Sequence, residues 1–190
     1  MRFNTNTHCN EGLLDCVHVC IWEPAKTASL GGHRYFVSFI DSVSRQCWIY
    51  PMRQCSEALD ILVKWKGKMK RQIGRRIKEL KIGNVGKDMY QFLRFGHNTG
   101  IVTHFTTGTD ELAKEVIRPL LNEVRRLLSN TGLDKSFWAE ATVYASHLMN
   151  RSTAIGGKAP LEIWSGKATQ DHGLCGNLEV RPTSVPRMAR

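Results

Sequence analysis

Between residues 14 and 51 three strand-like runs are joined by short connections, and in the first of them inward-type side chains fall at every second position. Leu14, Cys16, His18, Cys20 and Trp22 make the first set, RYFVSFID (34–41) holds the second and QCWIYP (46–51) the third. A period of two belongs to a strand with one face turned inward. The aromatic and β-branched content of the second run reinforces that reading. The first connection is EPAKTASLGGHR, ending in a Gly31-Gly32 turn, and the second is SVSR. Connections this short join neighbouring antiparallel strands, so the chain opens with a meander.

After residue 55 the period changes. Ser56 is placed to cap a helix, with Glu57 and Asp60 in its first turn. Leu59, Leu62, Val63, Met69 and Ile73 recur near the helical period. Gly67 lies inside this stretch and weakens it by about 1 kcal/mol relative to Ala. RRIKELKI (75–82) predicts a fourth strand, DMYQFLRF a short helix and GIVTHFT (100–106) a fifth strand. From Asp110 a stripe of Leu112, Val116, Leu120, Val124 and Leu127 or Leu128 predicts a long helix. Pro119 inside it is expected to kink the helix or cost on the order of 3 kcal/mol. SNTGLD ends that helix, and Asp134 can cap the next, KSFWAEATVYASHLMNR. The fold class is α/β, a mixed sheet of three antiparallel strands plus parallel strands, flanked by helices. This order is that of ribonuclease-H-like folds. The chain divides into a polar segment 1–11, one domain over 12–167 and a loose tail 168–190, without internal repeats.

Charge narrows the partners. The chain has 27 basic and 17 acidic residues, a formal net charge of +10. A polyanion such as DNA or another nucleic acid is the expected partner. Half of the 18 residues from 64 to 81 are cationic: Lys64, Lys66, Lys68, Lys70, Arg71, Arg75, Arg76, Lys78 and Lys81. Such a surface tracks phosphates without much sequence preference; the alternative is a solvated helix face. The start, MRFNTNTHCN, has no apolar run of the signal-peptide kind, and no stretch is long and apolar enough to span a membrane. An intracellular protein is expected, nuclear if it acts on DNA. The six cysteines show no paired spacing and are read as reduced. Cys16, His18 and Cys20 share a strand face, and with His8 and Cys9 they suggest zinc. No Cys-x-x-Cys knuckle accompanies them, so they are read as packing. Phe137 and Trp138 are likewise read as core, not as a base-stacking platform.

Four segments carry a family resemblance: TASLGGHRYFVSFIDSVSRQCWIYPM, GIVTHFTTGT, NEVRRLLSNTGLDKSFWAEATVYASHLMNRS and TAIGGKAPLEIWSGK. In this collinear order, over roughly residues 12–167, the chain resembles the integrase core of Copia-type long-terminal-repeat retrotransposons. The resemblance implies a ribonuclease-H-like domain that joins element DNA to a target by transesterification. It also implies an Asp, Asp, Glu triad holding Mg or Mn. Two such ions about 4 Å apart activate the attacking hydroxyl and stabilise the leaving oxygen.

Carried over residue by residue, the triad is missing. The family's first Asp closes a His-Ser-Asp strand; here HVCIWEP puts Cys20 there. The second opens an Asp-Asn-Gly turn; LKIGNVG puts Gly83 there, beside Asn84. The Glu starts a helix; DELAKEVIR puts Lys114 there. Thirty residues separate Gly83 from Lys114, fewer than the family places. Cysteine is too soft for Mg²⁺, glycine offers no ligand and lysine repels cations. Neighbouring Glu115, Asp41 and Asp15 are expected to point elsewhere. The reading is therefore a degenerate core without an intact catalytic residue or cofactor, retaining a nucleic-acid-binding surface. The alternatives are an interaction or homodimerisation module built on the helices at 110–151, or a transposon remnant with no selected role.

Overall fold

The first three strands hold the expected meander. β1 (Cys16–Trp22), β2 (Tyr35–Asp41) and β3 (Cys47–Met52) form antiparallel pairs, with Cys20 opposite Ser38 and Ser38 opposite Ile49. The chain then passes through α1 (Glu57–Ile73) to β4 (Glu79–Gly83), and through α2 (Met89–Thr99) to β5 (Val102–Thr106). β4 joins β1 in parallel and β5 joins β4 in parallel, giving the order β3-β2-β1-β4-β5. α3 (Glu111–Thr131), a 3-10 turn (Lys135–Phe137), α4 (Trp138–Arg151) and α5 (Pro160–Ser165) follow. This computed structural model describes residues 12–22, 25–84, 88–106, 110–152 and 157–167; the segments expected at 1–11 and 168–190 lie outside them.

Each sheet face has its own core. On one, Val17, Val19, Ile21, Val37, Phe39, Leu80 and Ile82 pack under Leu62, Trp65 and Met69 of α1 and Phe92 of α2. On the other, Cys20, Phe36, Ile40, Cys47 and Ile49 pack under Ala113, Ile117 and Leu120 of α3 and Ala145 of α4. β1 lies between both layers, so Cys16 through Ile21 are all buried. A strand covered on both faces cannot show a polar–apolar alternation. That explains why its cysteines and histidine sit among aliphatic neighbours.

The helices depart from expectation in detail. Ser56 stands at the N-cap of α1, but its side chain bonds no helix N–H. Glu57 instead accepts from the backbone N–H groups of Arg53 and Gln54. Val63 is exposed, and Trp65 takes the central place, its ring 4.7 Å from that of Phe39 and 5.2 Å from that of Trp48. β4 begins at Glu79 rather than 75, and α2 runs on to Thr99. α3 is one continuous helix through Pro119. Pro119 and Glu115, whose carbonyl loses its donor, are both exposed, so water can satisfy that carbonyl. The short α5 was not expected; its Trp164 packs 4.7 Å from Trp48.

Candidate functional site

Parallel pairing of β1 with β4 puts the C-terminal ends of both strands side by side, with Cys20 and Gly83 as register partners. Asn84 follows with φ of 57°, a left-handed conformation that Asn tolerates better than most residues. Its carboxamide donates to the Ile21 carbonyl at 2.9 Å, pinning the end of β4 to β1. Asp110 caps α3 by accepting from the Leu112 N–H. Its carboxylate also pairs with His18 Nδ1 on β1. The first turn of α3 thus starts beside the strand that carries Cys20. Lys114 lies in that turn, with Nζ 2.6 Å from the Glu111 carboxylate.

The donor set here does not suit a hard divalent cation. Burial raises the Cys20 thiol to about 11; the Asp110 and Gly83 backbone N–H groups oppose the shift and the Asp110 charge adds to it. A thiol at that value stays protonated at neutral pH. Gly83 contributes no side chain, and Lys114 brings positive charge. The neighbouring carboxylates are engaged. Asp41, fully buried, accepts from the Leu14 N–H at 2.7 Å and from the Ser44 N–H and hydroxyl. Asp15 pairs with Lys78 at 2.9 Å, and Glu115 reaches Arg45 at 4.0 Å. Mg²⁺ needs several oxygen ligands in near-octahedral array, and these residues do not fit it.

Sequence reading missed a polar chain at the same end. His18 Nδ1 faces the Asp110 carboxylate, so Nδ1 carries the proton; Nε2, 2.9 Å from the Ser42 hydroxyl, accepts from it. The connectivity Ser42–His18–Asp110 is that of an acyl-transfer triad. Here it is a packed strut: His18 is 2% exposed. The Ser42 N–H is bound by the Cys16 carbonyl and the Ser44 N–H by Asp41. Neither is free to stabilise an oxyanion. Burial lowers the His18 pKa, Asp110 opposes the shift, and the charges of Lys81 and Arg45 add to it. The strut ties the start of α3 to β1 and to the β2–β3 turn. His18 and Asp110 are too far apart in sequence for any local signal to pair them.

Among the described residues the zinc set does not assemble. Cys16, His18 and Cys20 do alternate along β1, but both His18 nitrogens are engaged. His8 and Cys9 lie outside the described residues. Among the described residues, no cluster of three or more His, Cys, Asp or Glu side chains could hold a metal ion. Trp138 packs as expected, its ring 6.4 Å from Phe36 and its indole N–H on the Thr27 carbonyl.

The nine cations of the basic stretch divide. Lys64, Lys68, Lys70 and Arg71 are exposed on α1, and Lys66 is half-buried with its ammonium 4.9 Å from the Phe95 ring centre. Lys66, Lys70, Arg75 and Arg76 line a cleft of about 230 Å³ floored by Leu14, Met69, Ile77 and Ile101. Arg75 and Arg76 also border an adjoining hollow with Lys78 and Asp15. This cleft lies where the chain enters β1 and β4, and Cys20 and Gly83 lie where it leaves them. Along β1, four residue steps run from its first residue, Cys16, to Cys20, about 13 Å at 3.3 Å per residue. Lys81 stands apart: it is the register partner of His18, and cross-strand partners share a face.

Comparison with known proteins places this geometry. No protein-family model matches the chain. It is 31% identical over 174 residues, 88% of its length, to the retrovirus-related Pol polyprotein from transposon TNT 1-94 of Nicotiana tabacum. It is 27% identical over 154 residues, 78% of its length, to the corresponding polyprotein from transposon RE2 of Arabidopsis thaliana. The chain spans 13% and 10% of those two relatives. Among solved structures, the catalytic core of BIV integrase aligns with a TM-score of 0.54 at 12% identity, over 80% of this chain and 94% of that core. The HTLV-2 integrase core in complex with magnesium, in its dimeric form, aligns with a TM-score of 0.56 at 11% identity, over 78% and 93%. At such identities the likeness is one of fold, and the fold is ribonuclease-H-like.

Proposed function

This chain belongs to the integrase-core region of the retrovirus-related Pol polyproteins of Copia-type transposons, and from that membership we propose that it is a degenerate core, binding nucleic acid without catalysing strand transfer. One observation carries the loss of catalysis. Where β1 and β4 end together, the side chains offered are a protonated thiol and none at all, with a lysine in the first turn of α3. Metal-dependent phosphoryl transfer needs carboxylate oxygens to hold two cations. The net charge of +10 and the cations of 64–81 support the binding half.

The experiment is a strand-transfer assay with Mg²⁺ or Mn²⁺ on the purified chain, beside a duplex-DNA binding titration. We expect no joined product, together with binding weakened by replacing Lys64, Lys68, Arg75 and Arg76 with Ala. Metal-dependent joining that disappears on changing Asp41, Asp110 or Glu115 would overturn the inactive reading. Binding that ignores the alanine replacements would overturn the other half.

A second reading is favoured by a separate feature. The C-terminal half of α3 and the start of α4 border a groove of about 200 Å³ lined by Leu127, Leu128, Leu133, Phe137, Ala141 and Tyr144, with Leu133 46% exposed. An apolar groove of this kind suits self-association, and the HTLV-2 core has been described in dimeric and trimeric forms. Sedimentation of the purified chain, with Leu133→Glu as the disrupting variant, separates monomer from oligomer.

A further inference from the structure

The cleft below the last turns of α1 has the chemistry of an anion site, at the opposite end of β1 and β4 from Cys20 and Gly83. Among the described residues, four cations, Lys66, Lys70, Arg75 and Arg76, line it, and no carboxylate does. Asp15, in the adjoining hollow, is already paired with Lys78. A Cβ at Gly12 would meet the Arg75 guanidinium, so glycine there leaves this exposed donor room at the edge of the cleft. Lys70 and Arg71 also complement the C-terminal dipole of α1, but that role does not account for Lys66, Arg75 and Arg76. Lys66 is less basic than usual through burial and then through the Lys70 charge. An anion between the two would relieve that repulsion.

We propose that this cleft binds a small polyanion with clustered phosphates carried on an organic ring, the class of a nucleoside triphosphate. Guanidinium and ammonium groups converging on one concavity suit phosphates close together. A duplex spreads its charge along a rod too wide for about 230 Å³ and would meet only the rim. The apolar floor of Leu14, Met69, Ile77 and Ile101 gives a ring something to cover. The hollow of about 630 Å³ beyond Arg75 and Arg76 gives the rest of the ligand room. The proposal does not depend on duplex-DNA binding.

The test is calorimetric titration of the full chain, without divalent metal, with ATP and with inorganic tripolyphosphate. ATP should bind saturably and more tightly than tripolyphosphate. Arg75→Ala with Arg76→Ala should weaken ATP by about tenfold or more, because charge-assisted bonds are lost. Lys64→Ala with Lys68→Ala, both outside the cleft, should change it by less than about twofold. All four side chains are exposed, and an unchanged circular dichroism spectrum confirms that the variants fold. No saturable ATP binding, equal losses from the two double variants, or tripolyphosphate binding as tightly as ATP would each overturn the proposal. Absence of duplex binding by the unaltered chain, with ATP binding intact, would instead overturn only the nucleic-acid reading above.

Discussion

Asn150 shows what one side chain contributes to this fold. Its carboxamide accepts from the Cys47 N–H at 2.9 Å and donates to the Cys47 carbonyl at 2.7 Å, satisfying the free edge of β3 from the end of α4. An uncovered edge strand invites pairing with another chain. Asn150→Ala leaves two buried backbone groups unpaired and should cost about 2–3 kcal/mol, read as a lower urea midpoint at unchanged slope. His18 carries a different prediction. Folding holds its pKa below 6.5, chiefly by burial. As pH falls through 6.5 the unfolded chain takes up a proton that the folded chain resists. Stability should therefore be full above 6.5 and decline below it, down to the folded-state pKa. His18→Asn should flatten that decline. Denaturant titrations on both sides of pH 6.5 provide the measurement, and an unchanged decline in the variant would assign the acid sensitivity to other groups.

At the scale of elements, most of the framework was legible because it obeys local periods. The three-strand meander could be read from strand composition and short connections, and the start of α3 from the stripe after Asp110; Asp134, expected to cap the next helix, instead caps the 3-10 turn that precedes α4. Trp65 was missed although it falls at helical spacing between Leu62 and Met69 and is 2% exposed; a count by stripe would have found it. α5 is too short to show a period, and docking of Trp164 on Trp48 accompanies it. α3 runs through Pro119 without ending there: the Glu115 carbonyl that loses its donor lies on the solvent side, where water can satisfy it, while the clash of the ring with that carbonyl still costs stability. Gly67 is the clearest element-scale prediction. A Cβ at that position meets nothing within 4 Å. Gly67→Ala should stabilise α1 by about 0.5–1 kcal/mol, seen as a higher thermal midpoint. A lower midpoint would mean that the α1 backbone needs glycine there.

At the scale of the whole molecule, charge and chemistry part company along the sheet. Four cations of the basic stretch line a cleft where β1 and β4 begin, while the positions that the family resemblance assigns to catalysis gather where those strands and α3 meet. If phosphates dominate DNA binding, log affinity should fall linearly with log salt, and replacing two cleft arginines should reduce the slope by about 2. A flat salt response would remove the electrostatic account. The sequence by itself determined the strand and helix order, the basic balance, and the residue types at 20, 83 and 114, because these are local or additive properties. Only the tertiary structure decided that Cys20 lies beside Gly83, that His18 is locked between Ser42 and Asp110, and that the basic stretch divides among a cleft, the exposed face of α1 and a separate Lys81. Those outcomes rest on parallel pairing and helix docking between residues distant in the chain, and no local period encodes such contacts.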